Sequence, residues 1–179
     1  RHNSALFARR CAEVLTAHGI KCYMFDELRP TPMLSAGVRH FGCIAGINIT
    51  ASHNPSVYNG YKLYWEDGAQ PTSQMADYVS SYIHATDIFE GVPTRDKVDE
   101  SLITMVGADF DEIFMKDVIA EQVYPDVITK AADNLQVVYT PLCGAGYRIV
   151  PEVLRRIGIK HLSLVDAQIK PNGDFPGLA

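Results

Sequence analysis

Ser52, His53 and Lys62 are the residues of this sequence whose types and spacing suit phosphate chemistry. A serine hydroxyl can accept a phosphoryl group, and an imidazole or ammonium near it can carry a proton or neutralise charge on that phosphate. By spacing alone other readings stay open. Ser52-His53-Asn54-Pro55 also reads as a Ser- and Asx-rich turn without chemistry, His53 as a surface histidine, and Lys62 as a solvated strand residue whose stem covers apolar surface. Asp109-Phe110-Asp111 is the one Asp-x-Asp pattern. It suits a metal loop or an aspartyl nucleophile, and equally a helix start. Asp109 and Glu112 have capping-box spacing, and acidic side chains favour the positive end of a helix.

The elements around Ser52 place it on an exposed loop. Residues 43–50 read as an apolar strand running into Ala51-Ser52-His53-Asn54-Pro55, where small turn-forming residues and a proline stop the ladder. The chain returns through Asn59-Gly60, a pair suited to positive φ, into a strand over 61–65 that ends at Asp67-Gly68. A loop at the carboxyl end of a strand is where open α/β sheets present reactive groups to a crevice.

Upstream, Phe7, Cys11, Val14, Leu15 and His18 repeat at helical spacing, with Asn3 or Ser4 as N-cap and Gly19 as the stop. A short buried strand follows over 20–25. Thr31-Pro32 reads as an N-cap followed by proline at the first helical position, opening a helix lined by Leu34, Val38 and Phe41 and ended by Gly42.

Downstream, Met75, Tyr78, Val79, Tyr82 and Ile83 predict a further helix, and the stretch at Gly91-Val92-Pro93 predicts a domain boundary. This divides the chain into units 1–90 and 91–179. The second unit reads as a helix over 109–124 stopped by Pro125, a strand over 135–139, a helix lined by Tyr147, Val150, Leu154 and Ile157, and a strand over 159–165. Such alternation points to an α/β class with largely parallel pairing in the second unit, because parallel strands need a crossover.

Composition narrows the function classes. Of 179 residues, 47% are hydrophobic and 21% charged, the profile of globular material. A formal net charge of -5 argues against nucleic-acid or anionic-membrane binding, both of which need a basic surface. Cys11, Cys22, Cys43 and Cys143 show no metal-type spacing, and no secretory or long apolar segment is visible, so a cytoplasmic setting is expected. The chain opens on Arg1 with no strand leading into its first helix, which suggests that its N-terminus is truncated.

The string Gly46-Ile47-Asn48-Ile49-Thr50-Ala51-Ser52-His53-Asn54-Pro55, followed by Asn59-Gly60-Tyr61-Lys62, closely resembles the phosphoserine loop of the α-D-phosphohexomutases. Leu28-Arg29-Pro30-Thr31-Pro32 and Tyr64-Trp65-Glu66-Asp67-Gly68-Ala69-Gln70 are similar to the same family, nearest its phosphoglucomutase/phosphopentomutase branch. Arg1-His2-Asn3-Ser4 resembles the end of its Asp-x-Arg segment. Tyr139-Thr140-Pro141-Leu142 with Gly144-Ala145-Gly146-Tyr147 resembles the opening of its second domain. Pro171-Asn172-Gly173-Asp174-Phe175-Pro176 resembles a turn of that domain and reads as a surface turn.

The resemblance implies two incomplete α/β domains of the phosphohexomutase type, with mixed sheets flanked by helices. It implies Ser52 as the phosphorylated serine, with a phosphate oxygen on Mg²⁺. His53 and Lys62 become acid/base and phosphate-binding residues, and Asn54 and Arg1 further phosphate-binding residues. The implied reaction moves phosphate between C1 and C6 of a hexose phosphate, or C1 and C5 of a pentose, through a sugar bisphosphate. Positioning and charge neutralisation would supply most of the catalysis.

The family's Thr-x-Gly-x-Arg loop, its Asp-x-Asp-x-Asp-Arg metal loop, its Gly-Glu-x-Ser sugar-reading segment and its C-terminal phosphate loop are not found in the 179 residues. The expected partners are therefore sugar phosphates, sugar bisphosphates and the remaining domains of a longer enzyme. An alternative is a catalytically incomplete piece that binds only phosphate or partner chains. A phosphatase with Asp109 as nucleophile is disfavoured, since no following Thr or Val completes that motif.

Overall fold

The computed structural model describes residues 1–93 and 95–176; Thr94 and residues 177–179 of the expected second unit lie outside them. In chain order the elements are α1 Ser4–Ala17, β1 Cys22–Phe25, α2 Thr31–His40, β2 Ala45–Ile49, β3 Tyr61–Trp65, α3 Ser73–Ala85, β4 Ile103–Val106, α4 Ala108–Ala120, α5 Pro125–Ala131, β5 Gln136–Tyr139, α6 Ile149–Arg156, β6 His161–Leu164 and α7 Asp166–Ile169. The strands pair as three two-stranded ladders among the described residues. β1 runs parallel to β4, β2 antiparallel to β3, and β5 parallel to β6. This is the mixed α/β architecture that the pattern of apolar residues predicts.

The hairpin that presents Ser52 is fixed by its register. Ile49 faces Tyr61, Asn48 faces Lys62 and Ile47 faces Leu63. Helices cover its two faces. On one, the amide of Asn48 donates to the Thr31 hydroxyl at the start of α2 (2.9 Å). On the other, α1 packs along β2, and the Ser4 hydroxyl donates to the Ile49 carbonyl (3.1 Å).

β4 lies beyond position 91, yet its ladder partner β1 lies before it, from Cys22 opposite Ile103 to Phe25 opposite Val106. The hydrophobic core likewise joins both sides of that position: Met33 of α2 packs with Val106 of β4, Phe110 and Met115 of α4 and Ile149 of α6. Tyr23 stacks on Phe41 at 4.5 Å, and Phe41 meets the Phe110 ring at 5.2 Å. Offset and tilted aromatic pairs of this kind contribute beyond the area they bury.

Several local expectations are corrected. Asn3 is the N-cap residue of α1 but makes no side-chain cap, because it sits at φ 59 and the neighbouring Ser4 hydroxyl is turned to β2. Thr31 is already the first residue of α2, with Pro30 at the N-cap position. Asn59-Gly60 does not adopt positive φ. Gly60 is needed there for close approach instead, since a Cβ would lie 2.8 Å from the Thr50 carbonyl oxygen. Pro125 opens α5 rather than merely stopping the preceding helix, its fixed φ suiting a first helical turn. Asp109 and Glu112 form no capping box. Gly107 is the N-cap residue of α4, and Glu112 reaches Arg156 instead (2.6 and 2.7 Å).

Candidate active site

Ser52 follows β2 by a few residues, in the tight loop that leads towards β3. Thr50 is still on the ladder, its N–H bonded to the Gly60 carbonyl (2.9 Å), and Ala51 is buried. The chain then turns. Ser52 adopts φ 54, the left-handed region that serine rarely occupies. Its N–H donates to the Thr50 hydroxyl (3.2 Å), and the Asn54 N–H donates to the Ala51 carbonyl (3.1 Å). The result is a side chain lifted out of the sheet. Ser52, His53, Asn54 and Pro55 are all exposed.

Arg1 holds this turn from beneath. Its guanidinium donates to the carbonyl oxygens of Ser52 (2.6 Å), Asn54 (2.6 Å) and Pro55 (2.8 Å). A planar fork of N–H groups suits three converging carbonyls better than a single ammonium would. Arg1, expected from the family resemblance to bind phosphate, thus has its donors directed at loop backbone. Asn59 braces the other end. Its amide nitrogen donates to the His2 carbonyl (2.8 Å) and the Ser4 hydroxyl (3.0 Å), and its oxygen accepts from the Gly60 N–H (2.8 Å).

Of the predicted residues, the structure brings Ser52, His53, Asn54 and Arg1 together at the loop. Lys62 stands half-buried on β3, opposite Asn48 on the face that meets the start of α2. Among the described residues no hydrogen bond or ion pair engages the Ser52 hydroxyl, the His53 ring or the Lys62 ammonium. A free hydroxyl on a fixed turn, an adjacent imidazole and a nearby strand that carries an ammonium can bind and transfer an anionic group.

Sequence reasoning assigned no role to Arg29. Its side chain is 1% exposed and that of Asp111 6%. Nε and Nη2 of Arg29 donate to the two Asp111 oxygens (2.6 and 2.9 Å), and Nη2 also donates to Asp26 (3.0 Å). This bidentate pair ties the β1–α2 connection to α4. Next to it, Tyr147 and Arg148 both donate to Glu27. Arg148 chiefly, and Tyr147 after it, hold the Glu27 carboxyl below its ordinary range. No local signature in the sequence marks these pairings.

Among the described residues no group of three or more His, Cys, Asp and Glu side chains could hold a metal ion. For Mg²⁺, which seeks about six oxygens, Ser52 would offer one, through a phosphate. The residues present therefore do not make a metal site by themselves. No helix of the described residues is long and apolar enough to cross a membrane.

Two models of one family match the chain in succession. The phosphoglucomutase/phosphomannomutase alpha/beta/alpha domain I covers residues 1–88, and alpha/beta/alpha domain II covers residues 112–179. The chain belongs to the phosphoglucomutase/phosphomannomutase family. Among its phosphoglucomutase/phosphomannomutase relatives, a phosphoglucomutase of Staphylococcus epidermidis is 39% identical over 184 residues, covering 100% of this chain and 32% of its own length. One of Staphylococcus aureus strain N315 is 39% identical over 180 residues, covering 98% and 31%.

The chain thus spans about a third of the length of the curated relatives it matches. Two solved structures share the fold. A Thermus thermophilus protein classed with the phosphomannomutases matches with a TM-score of 0.75 at 24% identity, over 99% of this chain and 37% of that one. The open form of the Paramecium phosphoglucomutase parafusin matches with a TM-score of 0.74 at 17% identity, over 99% and 36%.

Proposed function

We propose that this chain is the front part of a hexose-phosphate mutase and that Ser52 is its phosphoryl carrier. The observation that carries the reading is the Ser52 turn itself, an exposed, unengaged hydroxyl held at φ 54 by three carbonyl contacts to Arg1. Curated relatives named phosphoglucomutase support a hexose phosphate over a pentose phosphate as substrate. In the reaction a sugar hydroxyl attacks the phosphorus of phospho-Ser52, the bond to the Ser52 oxygen breaks, and that oxygen takes a proton. The sugar bisphosphate so formed turns over and returns its other phosphate to Ser52. His53 and Lys62 supply the proton transfer and the positive charge that phosphoryl transfer depends on.

Mg²⁺ is the proposed cofactor, bound through the Ser52 phosphate with its other ligands supplied by later domains of the longer enzyme. A cytoplasmic setting accompanies this reading, consistent with substrates that are phosphorylated sugars. A second reading, that the 179 residues alone bind phosphate or partner chains without turnover, is favoured by the lack of a metal-holding cluster among the described residues.

The test is transfer of radiolabel from a hexose bisphosphate, followed by mapping of the labelled peptide. Label is expected on the peptide containing Ser52 and absent from Ser52→Ala. Label elsewhere, or mutase turnover at the unaltered rate in Ser52→Ala, would overturn the proposal. In the second reading the 179-residue chain shows no turnover even when the longer enzyme does.

A further inference from the structure

Residues 171–176, read from the sequence as a surface turn, pack against Arg1 and His2. The turn is anchored in the second half of the chain. The Asn172 N–H donates to the carbonyl of buried Cys143 (3.1 Å), and the Cys143 N–H donates to the Gln168 carbonyl (2.8 Å). Within the turn the Asp174 N–H donates to the Asn172 side-chain oxygen (2.9 Å), and Phe175 takes φ 50. Its half-buried ring then lies against Arg1, with the guanidinium carbon 4.8 Å from the ring centroid.

One residue earlier, Asp174 Oδ1 is 2.8 Å from Nε2 of His2. Gly173 lets the two segments approach, because a Cβ there would stand 3.0 Å from the His2 ring. The His2–Asp174 pair is largely exposed and by itself contributes little. Phe175 differs, because the guanidinium that lies over its ring is the one holding the Ser52, Asn54 and Pro55 carbonyls.

We propose that Phe175 is a positioning residue for Ser52, acting through Arg1. A guanidinium has five N–H donors in one plane, and its faces remain free to stack. Phe175 takes one face and fixes the plane, while the edge donates to the loop. The left-handed backbone at Ser52 is thereby set by a residue of the second half of the chain. The Cys143 backbone, the 171–176 turn, Phe175, Arg1 and the Ser52 carbonyl form one continuous set of contacts. The catalytic meaning of this rests on Ser52 being the phosphoryl carrier; the mechanical part does not.

The experiment is amide hydrogen exchange on the full chain, read at residues 52–58 and, as an internal reference, at β5 and β6. An exposed cation–π contact corresponds to roughly a two- to fivefold change in an equilibrium. Phe175→Ala is therefore expected to speed exchange in the loop by about that factor, with β5 and β6 unchanged. Phe175→Tyr, which keeps an aromatic face, is expected to restore the slow rate. Should Phe175→Ala loosen β5 and β6 as well, Arg1→Lys carries the test, since it leaves the turn intact and removes the planar fork; faster loop exchange is again expected.

Unaltered loop exchange in Phe175→Ala with β5 and β6 intact, or in Arg1→Lys, overturns the proposal. A parallel measurement of label transfer to Ser52 from hexose bisphosphate separates the two claims. Loop loosening without any transfer in the unaltered longer enzyme leaves the positioning role standing and removes the phosphoryl-carrier reading.

Discussion

Ser52 sits at φ 54, His53 follows it in the turn, and Lys62 projects from the returning strand. None of the three belongs to the core, and among the described residues none is engaged in a hydrogen bond through its side chain. His53→Ala and Lys62→Ala are thus expected to lower phosphoryl transfer while shifting stability by no more than about 0.5 kcal/mol, the usual range for surface replacements. Transfer rate and melting temperature check this together; a lowered melting temperature with unaltered transfer would make both residues structural. Arg29 and Asp111 behave oppositely. Asp111→Ala would remove the bidentate partner and leave the buried Arg29 guanidinium only its Nη2 contact to Asp26 as an ion pair, and is expected to cost about 3 kcal/mol in denaturant unfolding. The double change Arg29→Met with Asp111→Leu is expected to cost less than Asp111→Ala alone, because no buried charge is then left unpaired. A double variant less stable than the single would contradict that account.

At the scale of elements, the link between the β1–α2 connection and the region before α6 is ionic and exposed, which makes it dependent on pH. Glu27 is held below its ordinary value of 4.5, first by Arg148 and then by Tyr147. A depressed carboxyl contributes stability that is fully present above 4.5 and is lost as pH falls through the lower folded value. Glu27→Gln should therefore lower the melting temperature slightly at neutral pH, and the gap should close in acid. A gap that persists well below 4.5 would mean that shape, not charge, makes the contact.

The elements themselves were largely legible. β2, the Ser52 loop and β3 follow from an apolar run, a turn-forming cluster and a second apolar run, and α6 with β6 follows from helical spacing and a glycine stop. What was not legible has two causes, a local residue with two readings and contacts far apart in the chain. Pro125 reads as a stop although the same fixed φ also opens a helix. The contacts of Arg1 with Ser52 and of Arg29 with Asp111 join positions 51 and 82 residues apart, and local pattern carries no trace of them.

For the whole molecule, the expected boundary near 91 is a place where chain is exposed, and the ladder and core cross it. Phe89 is 87% exposed, while β1 pairs with β4 and Met33 packs with Phe110 across that point. Chymotrypsin is expected to cut at Phe89 and leave two pieces that co-elute in gel filtration at neutral pH. Separation of the pieces without denaturant would contradict a shared core.

The ladder between β1 and β4 also sets an order of events on the ribosome. Arg29 precedes Asp111 by 82 residues. At roughly 5–20 residues per second, a nascent chain waits about 4–16 s between making the cation and making its carboxylate. During that interval β1 has no β4 beside it, and the phenylalanines that will cover Phe110 face water. β1 and Phe41 at the end of α2 are thus synthesised early and finished late, and in the interval the open β1 edge is the kind of surface that makes a nascent chain prone to aggregate.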